Sequence, residues 1–236
     1  MEKKVQIINA FDKLGLLLAD KQAEQFLHYY ELLIQKNKVM NLTAITEFDD
    51  VVLKHFLDSL MICKMQEPQG KLIDVGTGAG FPGIPLKIVY PELNVVLLDS
   101  LNKRIQFLNK LIQELGLKNI EAIHGRAEDY AKQKIYREQF DLCVSRAVAN
   151  LSSLAEYCIP FVKIGGYFIP YKSGKIQDEL ESGKKAINLL GGRLEEVKEF
   201  ELPETDISRC LLQIRKINAT PHKYPRKAGI PTKEPI

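Results

Sequence analysis

The sequence of 236 residues contains no tryptophan and only four cysteines, at Cys63, Cys143, Cys158 and Cys210. The cysteines lie far apart without a C-x-x-C pair, so we expect buried, reduced thiols rather than a disulfide framework or a zinc site. The four histidines are equally scattered, and we expect no metal. No apolar run approaches the roughly 18 residues that cross a membrane, and the first residues lack the apolar core of a secretory signal. We therefore expect a cytoplasmic protein with no membrane partner.

The formal net charge of +3 is concentrated at the end of the chain. From position 221 onward there are four basic residues and one acidic residue, so the preceding 220 residues are formally neutral. The five are Lys223, Arg226, Lys227, Lys233 and Glu234. A basic terminal segment is typical of chains that contact RNA phosphates. The alternative is an ordinary solvated chain end.

The hydrophobic pattern changes character near position 68. Residues 1–68 show the spacing of amphipathic helices, which must bury their apolar stripe against a neighbour. Residues 69–218 alternate short apolar runs with helical patterns and end in two adjacent strand patterns. Such alternation predicts an α/β domain with a parallel sheet, and the final pair predicts an antiparallel edge. We expect residues 1–68 to pack on that domain and residues 219–236 to form a basic tail.

The most informative stretch runs over residues 71–99. A short apolar strand pattern ends at Gly76, Gly78 and Gly80, where the backbone can turn sharply and approach a ligand. A second strand pattern ends in Asp99, about 20 residues further on, where an acidic residue typically accepts hydrogen bonds from ribose hydroxyls. The stretch therefore predicts a strand–turn–helix site for a nucleoside.

The glycine spacing distinguishes between possible ligands. A dinucleotide site would place its third glycine at position 81, which holds Phe81, and a phosphate-binding loop would need Lys-Ser or Lys-Thr where this chain has Ile84 and Pro85. S-adenosylmethionine carries a ribose and an adenine but no phosphate, so Asp74-x-Gly-x-Gly-x-Gly followed by Asp99 suits that cofactor. The alternative is a strand–turn–helix whose glycines only shape the turn.

Ligands of such sheets bind beyond the carboxyl ends of the strands. Arg146 at the fourth strand end could hold the methionine carboxylate of the cofactor, the alternative being a surface ion pair. Asp99 would meet the ribose, and Ala127 with Glu128 would flank the adenine and its amine. The candidate cofactor residues are Asp74, Gly76, Gly78, Phe81, Asp99, Ala127, Glu128 and Arg146.

The fourth strand also bears on the reaction. It ends in Ser145-Arg-Ala-Val rather than in the Asn/Asp-Pro-Pro-Tyr/Phe sequence that amine-methylating enzymes usually carry there. An acceptor atom with no proton to lose fits better, and guanine N7 is such an atom, because its in-plane lone pair can attack a sulfonium methyl directly. We expect no general base, and the sequence identifies no catalytic residue.

Five segments together resemble the glucose-inhibited division protein B family, the bacterial 16S rRNA guanine-N7 methyltransferases. They span residues 41–46, 54–60, 74–83, 145–148 and 224–229. The resemblance implies the class I methyltransferase (Rossmann-like) fold, S-adenosylmethionine as cofactor, and methyl transfer to N7 of one guanine in 16S rRNA. It also implies cofactor contacts at Gly76, Phe81, Ala127, Glu128 and Arg146. The implied partner is 16S rRNA or a small-subunit particle, and we expect a monomer.

RNA contacts are predicted from basic and aromatic residues near the site and in the tail. Tyr171 could stack on the target base, or it could simply be packed. The set is Lys54, His55, Tyr171, Lys172, Lys175, Arg226 and Lys227. Two other functions remain open: a methyltransferase of the same fold acting on a small molecule or a ribosomal protein, and a non-catalytic RNA-binding assembly factor. A nicotinamide dehydrogenase is disfavoured by Phe81.

Overall fold

A seven-stranded sheet runs through the centre of the molecule in a computed structural model that describes residues 1–146, 148–174 and 176–236. The strands are β1 Lys71–Val75, β2 Asn94–Asp99, β3 Ile120–His124, β4 Phe140–Arg146, β5 Val162–Ser173, β6 Gly192–Glu201 and β7 Ser208–Lys216. Their order is β3-β2-β1-β4-β5-β7-β6. The first five pair in parallel, and β7 runs antiparallel to both β5 and β6. The predicted parallel sheet with an antiparallel edge is confirmed.

The helices flank this sheet and precede it. They are α1 Glu2–Asp12, α2 Asp20–Met40, α3 Phe48–Val51, α4 Asp58–Leu60, α5 Gly83–Val89, α6 Asn102–Glu114, α7 Ala127–Tyr130, α8 Leu151–Cys158, α9 Gln177–Leu189 and α10 Ile230–Lys233. A π-helical turn, Val52–Leu57, joins α3 to α4, and a 3₁₀ turn, Met61–Lys64, follows α4. Residues 48–64 therefore form one continuous helical segment.

Both faces of the sheet are buried, which explains the nearly continuous apolar character of its central strands. In β1, Leu72 belongs to a core shared with Phe26 and Phe56 of the N-terminal helical region. The next residue, Ile73, belongs to a second core on the opposite face, with Leu154 of α8 and Ile187 of α9. Residues 1–68 thus share a hydrophobic core with one face of the sheet.

Side chains of α2 extend this contact to α5 and to the glycine turn after β1. Gln22 Nε2 donates to the Ile88 carbonyl at 2.8 Å, and Tyr29 Oη donates to the Ala79 carbonyl at 2.7 Å. Ala79 lies in the glycine turn after β1, and Tyr29 is fully buried. The N-terminal region therefore supports the predicted cofactor loop directly.

The basic segment 219–236 is folded against the sheet domain. Arg137 donates to the carbonyls of Thr220 at 2.7 Å and Tyr224 at 2.9 Å. Ser153 of α8 donates to the Pro231 carbonyl at 2.7 Å. The expected tail is thus held along α8 by hydrogen bonds.

Cys143, Cys158 and Cys210 are buried free thiols, as predicted, and Cys63 is half-buried. Among the described residues, none of the helices combines the length and apolar character needed to span a bilayer. Within the same ranges, no cluster of three or more His, Cys, Asp or Glu side chains could hold a metal ion.

The strand order places a switch point beside β1. The chain leaves β1 towards β2 on one side and returns to β4 on the other, so the crevice at the carboxyl ends of β1 and β4 is the expected ligand site.

Candidate active site

The turn after β1 is built on glycines in the left-handed region. The φ angles are 73° at Gly76, 62° at Gly78 and 107° at Gly80. A Cβ at Gly76 would lie 2.5 Å from a Val148 methyl group, and one at Gly80 would lie 2.8 Å from Tyr29 Oη. At Gly78 it would meet only the Gly76 carbonyl, at 4.0 Å. The outer two glycines therefore permit close packing, whereas Gly78 faces open space.

Asp74, in β1, is hydrogen-bonded to the glycine turn and to the start of α5. Its Oδ2 accepts hydrogen bonds from Thr77 Oγ1 at 2.7 Å and from the Gly83 amide at 2.8 Å. Its Oδ1 is buried and has no hydrogen-bond partner among the described residues. Burial raises the pKa of the carboxyl to about 6, although the bonds from Thr77 and Gly83 oppose that shift. Asp74 is fully buried, so its role in this structure is to shape the loop.

Asp99, at the end of β2, is held by three donors. Oδ2 accepts from the Gly78 amide at 2.9 Å and from Arg104 Nη1 at 3.1 Å, and Oδ1 accepts from the Leu101 amide at 2.9 Å. A carboxylate offers about four lone-pair sites, so one acceptor position remains for a ribose hydroxyl.

A cavity of about 170 Å³ lies between the glycine turn and the start of α7. Its lining includes Gly76, Asp99, Ala127, Glu128 and Val148. Glu128 Oε1 accepts from the Gly229 amide at 3.0 Å, so the C-terminal segment helps to fix this carboxylate. The structure brings the predicted ribose and adenine residues together around one cavity, which we call the nucleoside pocket.

The nucleoside pocket suits S-adenosylmethionine better than a ligand that carries phosphate groups. It offers carboxylates at the ribose and adenine positions, Asp99 and Glu128, and a glycine turn that is open at Gly78. Among the residues that the structure describes, Arg126 is the basic residue that lines it. These acceptors fit the ribose hydroxyls and the adenine amine of S-adenosylmethionine, as the glycine spacing predicted.

A second and larger cavity, of about 550 Å³, lies on the other side of residues 148–150. We call it the cleft. Its charged lining residues are Lys54, Asp58, Arg146, Lys172, Glu179 and Arg209, and His55 and Tyr171 also line it. The cleft and the nucleoside pocket both open at the carboxyl end of the sheet, separated by the segment that follows β4.

Asp58 bridges two arginines that line the cleft. Its carboxylate, 3% exposed, accepts from Arg146 Nη1 at 3.0 Å and from Arg209 Nε at 3.1 and 3.2 Å. Arg146 thus forms an ion pair, as the alternative to a carboxylate contact proposed, but with a buried carboxylate rather than at the surface. Arg146 keeps further N–H donors for a ligand, since a guanidinium has five. Sequence reasoning missed Asp58 and Arg209, and only Asp58 lay in a segment that carried the family resemblance.

His55 forms the floor of the cleft beside Arg146. Its ring stacks on Phe81 at 4.4 Å between centroids, and Phe81 stacks on Tyr29 at 5.2 Å. His55 Nδ1 lies 3.4 Å from Arg146 Nη2, and Nε2 lies 2.8 Å from Thr43 Oγ1. Because arginine only donates, Nδ1 must accept and Nε2 carries the proton.

The charge state of His55 differs from the expectation of a phosphate contact. Burial, together with the nearby charge of Arg146, lowers the pKa of His55 to about 3. The ring is therefore neutral at physiological pH and cannot pair with a phosphate as a cation. It serves here to support Phe81 and Arg146.

Other predicted RNA contacts in the cleft already have partners. Lys54 Nζ pairs with Asp50 at 2.7 Å. The Tyr171 hydroxyl donates to the Ser59 carbonyl at 2.7 Å, and the residue is only 4% exposed, so this conformation leaves little ring surface on which a base could stack. Lys172 pairs with Glu179. Lys175 lies outside the described residues.

The two predicted contacts of the C-terminal segment differ sharply. Arg226 donates from Nε and Nη2 to the fully buried carboxylate of Glu156, with the Nη2 bond at 2.7 Å. This pairing raises the pKa of Arg226 and anchors the segment. Lys227 is exposed, and no carboxylate of the described residues lies within 4 Å of it. RNA contact by Lys227 therefore stays a prediction, whereas the Arg226 guanidinium is engaged in an ion pair within the fold.

Comparison with known proteins gives one consistent result. The family described as rRNA small subunit methyltransferase G (GidB) matches residues 22–208. A protein of Lachnoclostridium phytofermentans named ribosomal RNA small subunit methyltransferase G is 56% identical and covers 100% of this chain and 98% of its own length. Its namesake from Alkaliphilus metalliredigens is 51% identical, with 100% of both chains covered.

Solved structures show the fold. A SAM-dependent methyltransferase from Aquifex aeolicus superposes with a TM-score of 0.52 at 17% identity, over 70% of this chain and 93% of that chain. The class I methyltransferase fold predicted from the sequence is confirmed.

Proposed function

This chain belongs to the rRNA small subunit methyltransferase G family, and we propose that it methylates N7 of one guanine in 16S rRNA, with S-adenosylmethionine as the methyl donor. The observation that carries the proposal is the pair of cavities separated by residues 148–150. One has the side chains for a nucleoside, and the other is large enough for a base and lined with cations. Methyl transfer needs donor and acceptor held on either side of a single reacting carbon.

The residues that would hold the cofactor follow from the nucleoside pocket. Asp99 would accept from the ribose, and Ala127 and Glu128 would contact the adenine. Arg146, which lines the cleft, would pair with the methionine carboxylate. When bound, S-adenosylmethionine supplies a methyl group made electrophilic by its sulfonium. The chain's own part is to orient that group towards the cleft.

The reaction requires no proton acceptor. The guanine N7 lone pair forms the new C–N bond while the electron pair of the S–C bond goes to sulfur, so sulfur becomes neutral and the base becomes cationic. His55 in the cleft has a pKa of about 3, which makes it a poor base at neutral pH. Catalysis then rests on alignment, which is worth up to roughly 7–11 kcal/mol in well-oriented reactions.

The cleft also suits a base presented by RNA. Its volume of about 550 Å³ falls in the usual range of roughly 300–1,000 Å³ for ligand sites. N7 lies on the Hoogsteen edge, which is buried in an A-form groove but accessible in a loop. A loop guanine of 16S rRNA, free or in a small-subunit particle, is the proposed substrate. Because one chain lines both cavities, the proposed active species is a monomer, acting in the cytoplasm where its substrate would be found.

The test is methyl transfer from labelled S-adenosylmethionine to unmodified small-subunit rRNA or subunits, followed by digestion to nucleosides. We expect label in 7-methylguanosine at one position. As a control, RNA recovered after a complete unlabelled reaction should accept no further label. Binding of the cofactor without labelling of any guanine would contradict the rRNA proposal and favour a small-molecule or protein substrate.

A further inference from the structure

The ion pair between Lys172 and Glu179 lines the cleft, and the proposed methyl transfer assigns it no role. Lys172, at the end of β5, donates to the Ala149 carbonyl at 2.7 Å and to the carboxylate of Glu179, in the first turn of α9. The lysine side chain is 11% exposed and that of the glutamate 31% exposed. Both residues line the cleft together with Arg146.

The two carboxylates of the cleft differ in how much hydrogen-bonding capacity remains. Asp58 accepts from two guanidinium groups and is 3% exposed. Glu179 Oε1 accepts from Lys172, and Oε2 has no hydrogen-bond partner among the described residues. Glu179 is therefore the cleft carboxylate with an oxygen free to receive donors from a ligand.

A cation beside a carboxylate is the complement of one particular base edge. The Watson–Crick edge of guanine presents the O6 acceptor, then the N1–H and N2–H₂ donors, whereas adenine presents an amine and then an acceptor nitrogen. We propose that Lys172 and Glu179 read the Watson–Crick edge of the target guanine, Lys172 donating to O6 and Glu179 accepting from N1–H and N2–H₂. This inference rests on the proposed function and names its specificity residues.

The arrangement agrees with the geometry that the reaction needs. A base held by its Watson–Crick edge keeps N7, on the Hoogsteen edge, free for the methyl group. Enzymes that act on a base extruded from its stack commonly read it through this edge. Lys172 has a third N–H for O6 while it keeps its bonds to Ala149 and Glu179.

Glu179 would also favour the transition state over the bound substrate. Positive charge develops on the guanine as N7 takes the methyl group, and a carboxylate bonded to N1–H interacts more strongly with the cationic ring than with the neutral one. Interactions that strengthen in the transition state raise kcat. Loss of the Glu179 charge should therefore lower kcat more than it raises KM.

The experiment compares two RNAs with two proteins. Once the methylated guanine is located with the wild-type enzyme, an RNA is prepared with inosine at that position, which lacks only the N2 amine. The kcat/KM values of the wild type and Glu179→Gln are measured on both RNAs. We expect inosine to cost the wild type about 10- to 100-fold, the effect of a hydrogen bond to a charged group, and to cost the variant less than about threefold.

Glu181→Gln is the matched control, because Glu181 lies on the same helix, is 71% exposed and pairs with Lys184 away from the cleft. It should show the full inosine penalty. Lys172→Gln should lower turnover on guanosine about 10-fold or more while leaving the affinity for S-adenosylmethionine unchanged.

Two outcomes would overturn the inference while the proposed function stands. One is an inosine penalty in Glu179→Gln equal to that of the wild type, and the other is wild-type kcat for Glu179→Gln on guanosine. If the wild type labels no guanine at all, the proposed function itself fails, which is a different result.

Discussion

The two halves of the active site hold their carboxylates by different means. Around the nucleoside pocket, Asp74 and Asp99 accept hydrogen bonds from the backbone amides of Gly83, Gly78 and Leu101. In the cleft, the carboxylates of Asp58 and Glu179 are held by arginine and lysine side chains. Backbone amides supply three of the five donors to Asp74 and Asp99, with Thr77 Oγ1 and Arg104 Nη1 supplying the other two. Charged side chains hold Asp58 and Glu179.

This difference has a consequence for ligand binding. Amides in a tight turn cannot move away without unfolding the turn, so the nucleoside pocket is pre-organised. A guanidinium can exchange partners, so a ligand carboxylate can share Arg146 with Asp58. The cleft can therefore rearrange around its ligands at small cost, whereas the glycine turn keeps one shape.

The largest expected effect comes from breaking the side-chain network. Asp58→Ala removes the shared partner of Arg146 and Arg209, whose side chains are 13% and 20% exposed. Removing one member of a buried ion pair typically costs about 3–5 kcal/mol, because the remaining charge stays desolvated. We expect a loss of that size in the free energy of unfolding, measured by urea denaturation at neutral pH.

Asp50→Ala is the matched control, because Asp50 pairs with Lys54 on the same helical segment but is 45% exposed. Exposed pairs one helical turn apart contribute only about 0.3–0.5 kcal/mol. Equal losses for the two variants would show that burial of the Asp58 network contributes nothing to stability.

A smaller effect is expected on the backbone-held side, and it depends on pH. Burial raises the pKa of Asp74 from 3.8 to about 6. The folded state therefore favours the neutral carboxyl, and the stability that this adds is complete below pH 3.8 and is lost as the pH rises through 6. A pKa difference of this size corresponds to roughly 3 kcal/mol of stability.

The measurement is urea denaturation of the wild type and Asp74→Asn between pH 4 and 7. Because the amide does not ionise, the free energy of unfolding of the wild type should fall relative to the variant by roughly 2.4 kcal/mol over this range, which is most of the full difference. Parallel pH profiles would mean that Asp74 titrates at the same pH in the folded and unfolded chains.

The same contrast explains which parts of the site could be predicted from sequence. The glycine turn and the ribose acid of the nucleoside pocket use contacts between residues close in the chain or one βαβ unit apart, such as Asp74 with Gly83 and Gly78 with Asp99. Such contacts can be predicted from the spacing of glycines and of acidic residues at strand ends. The sheet was predictable for a similar reason, since each strand and helix has its own hydrophobic period.

The cleft could not be predicted in this way. Asp58 meets Arg146 and Arg209 across 88 and 151 residues, and no spacing rule connects them. Sequence also could not show that Arg226 would be taken by Glu156, or that burial would leave His55 neutral. The sequence shows that a residue is charged, but only the fold determines whether that charge already has a partner.

The smallest expected effect is on cofactor affinity, and it distinguishes the roles of Arg146 and Arg209, the two arginines that pair with Asp58. Arg146 lies against Phe81, with its guanidinium carbon 5.2 Å from the ring centroid, and it is the last residue of β4, which borders β1. Arg209 reaches the cleft from β7, two strands further away. Arg146→Ala should weaken S-adenosylmethionine binding by about 1.5–3 kcal/mol, the contribution of charged hydrogen bonds, as measured by calorimetry.

Arg209→Ala removes a bond to the same carboxylate and should leave the affinity for S-adenosylmethionine within about threefold, or roughly 0.6 kcal/mol. If both variants weaken binding equally, Arg146 acts only by holding Asp58, and its contact with the methionine carboxylate is ruled out. If only Arg146→Ala does so, its guanidinium serves the cofactor and the cleft carboxylate together. That result would identify Arg146 as the residue through which the fixed half of the site is connected to the adaptable one.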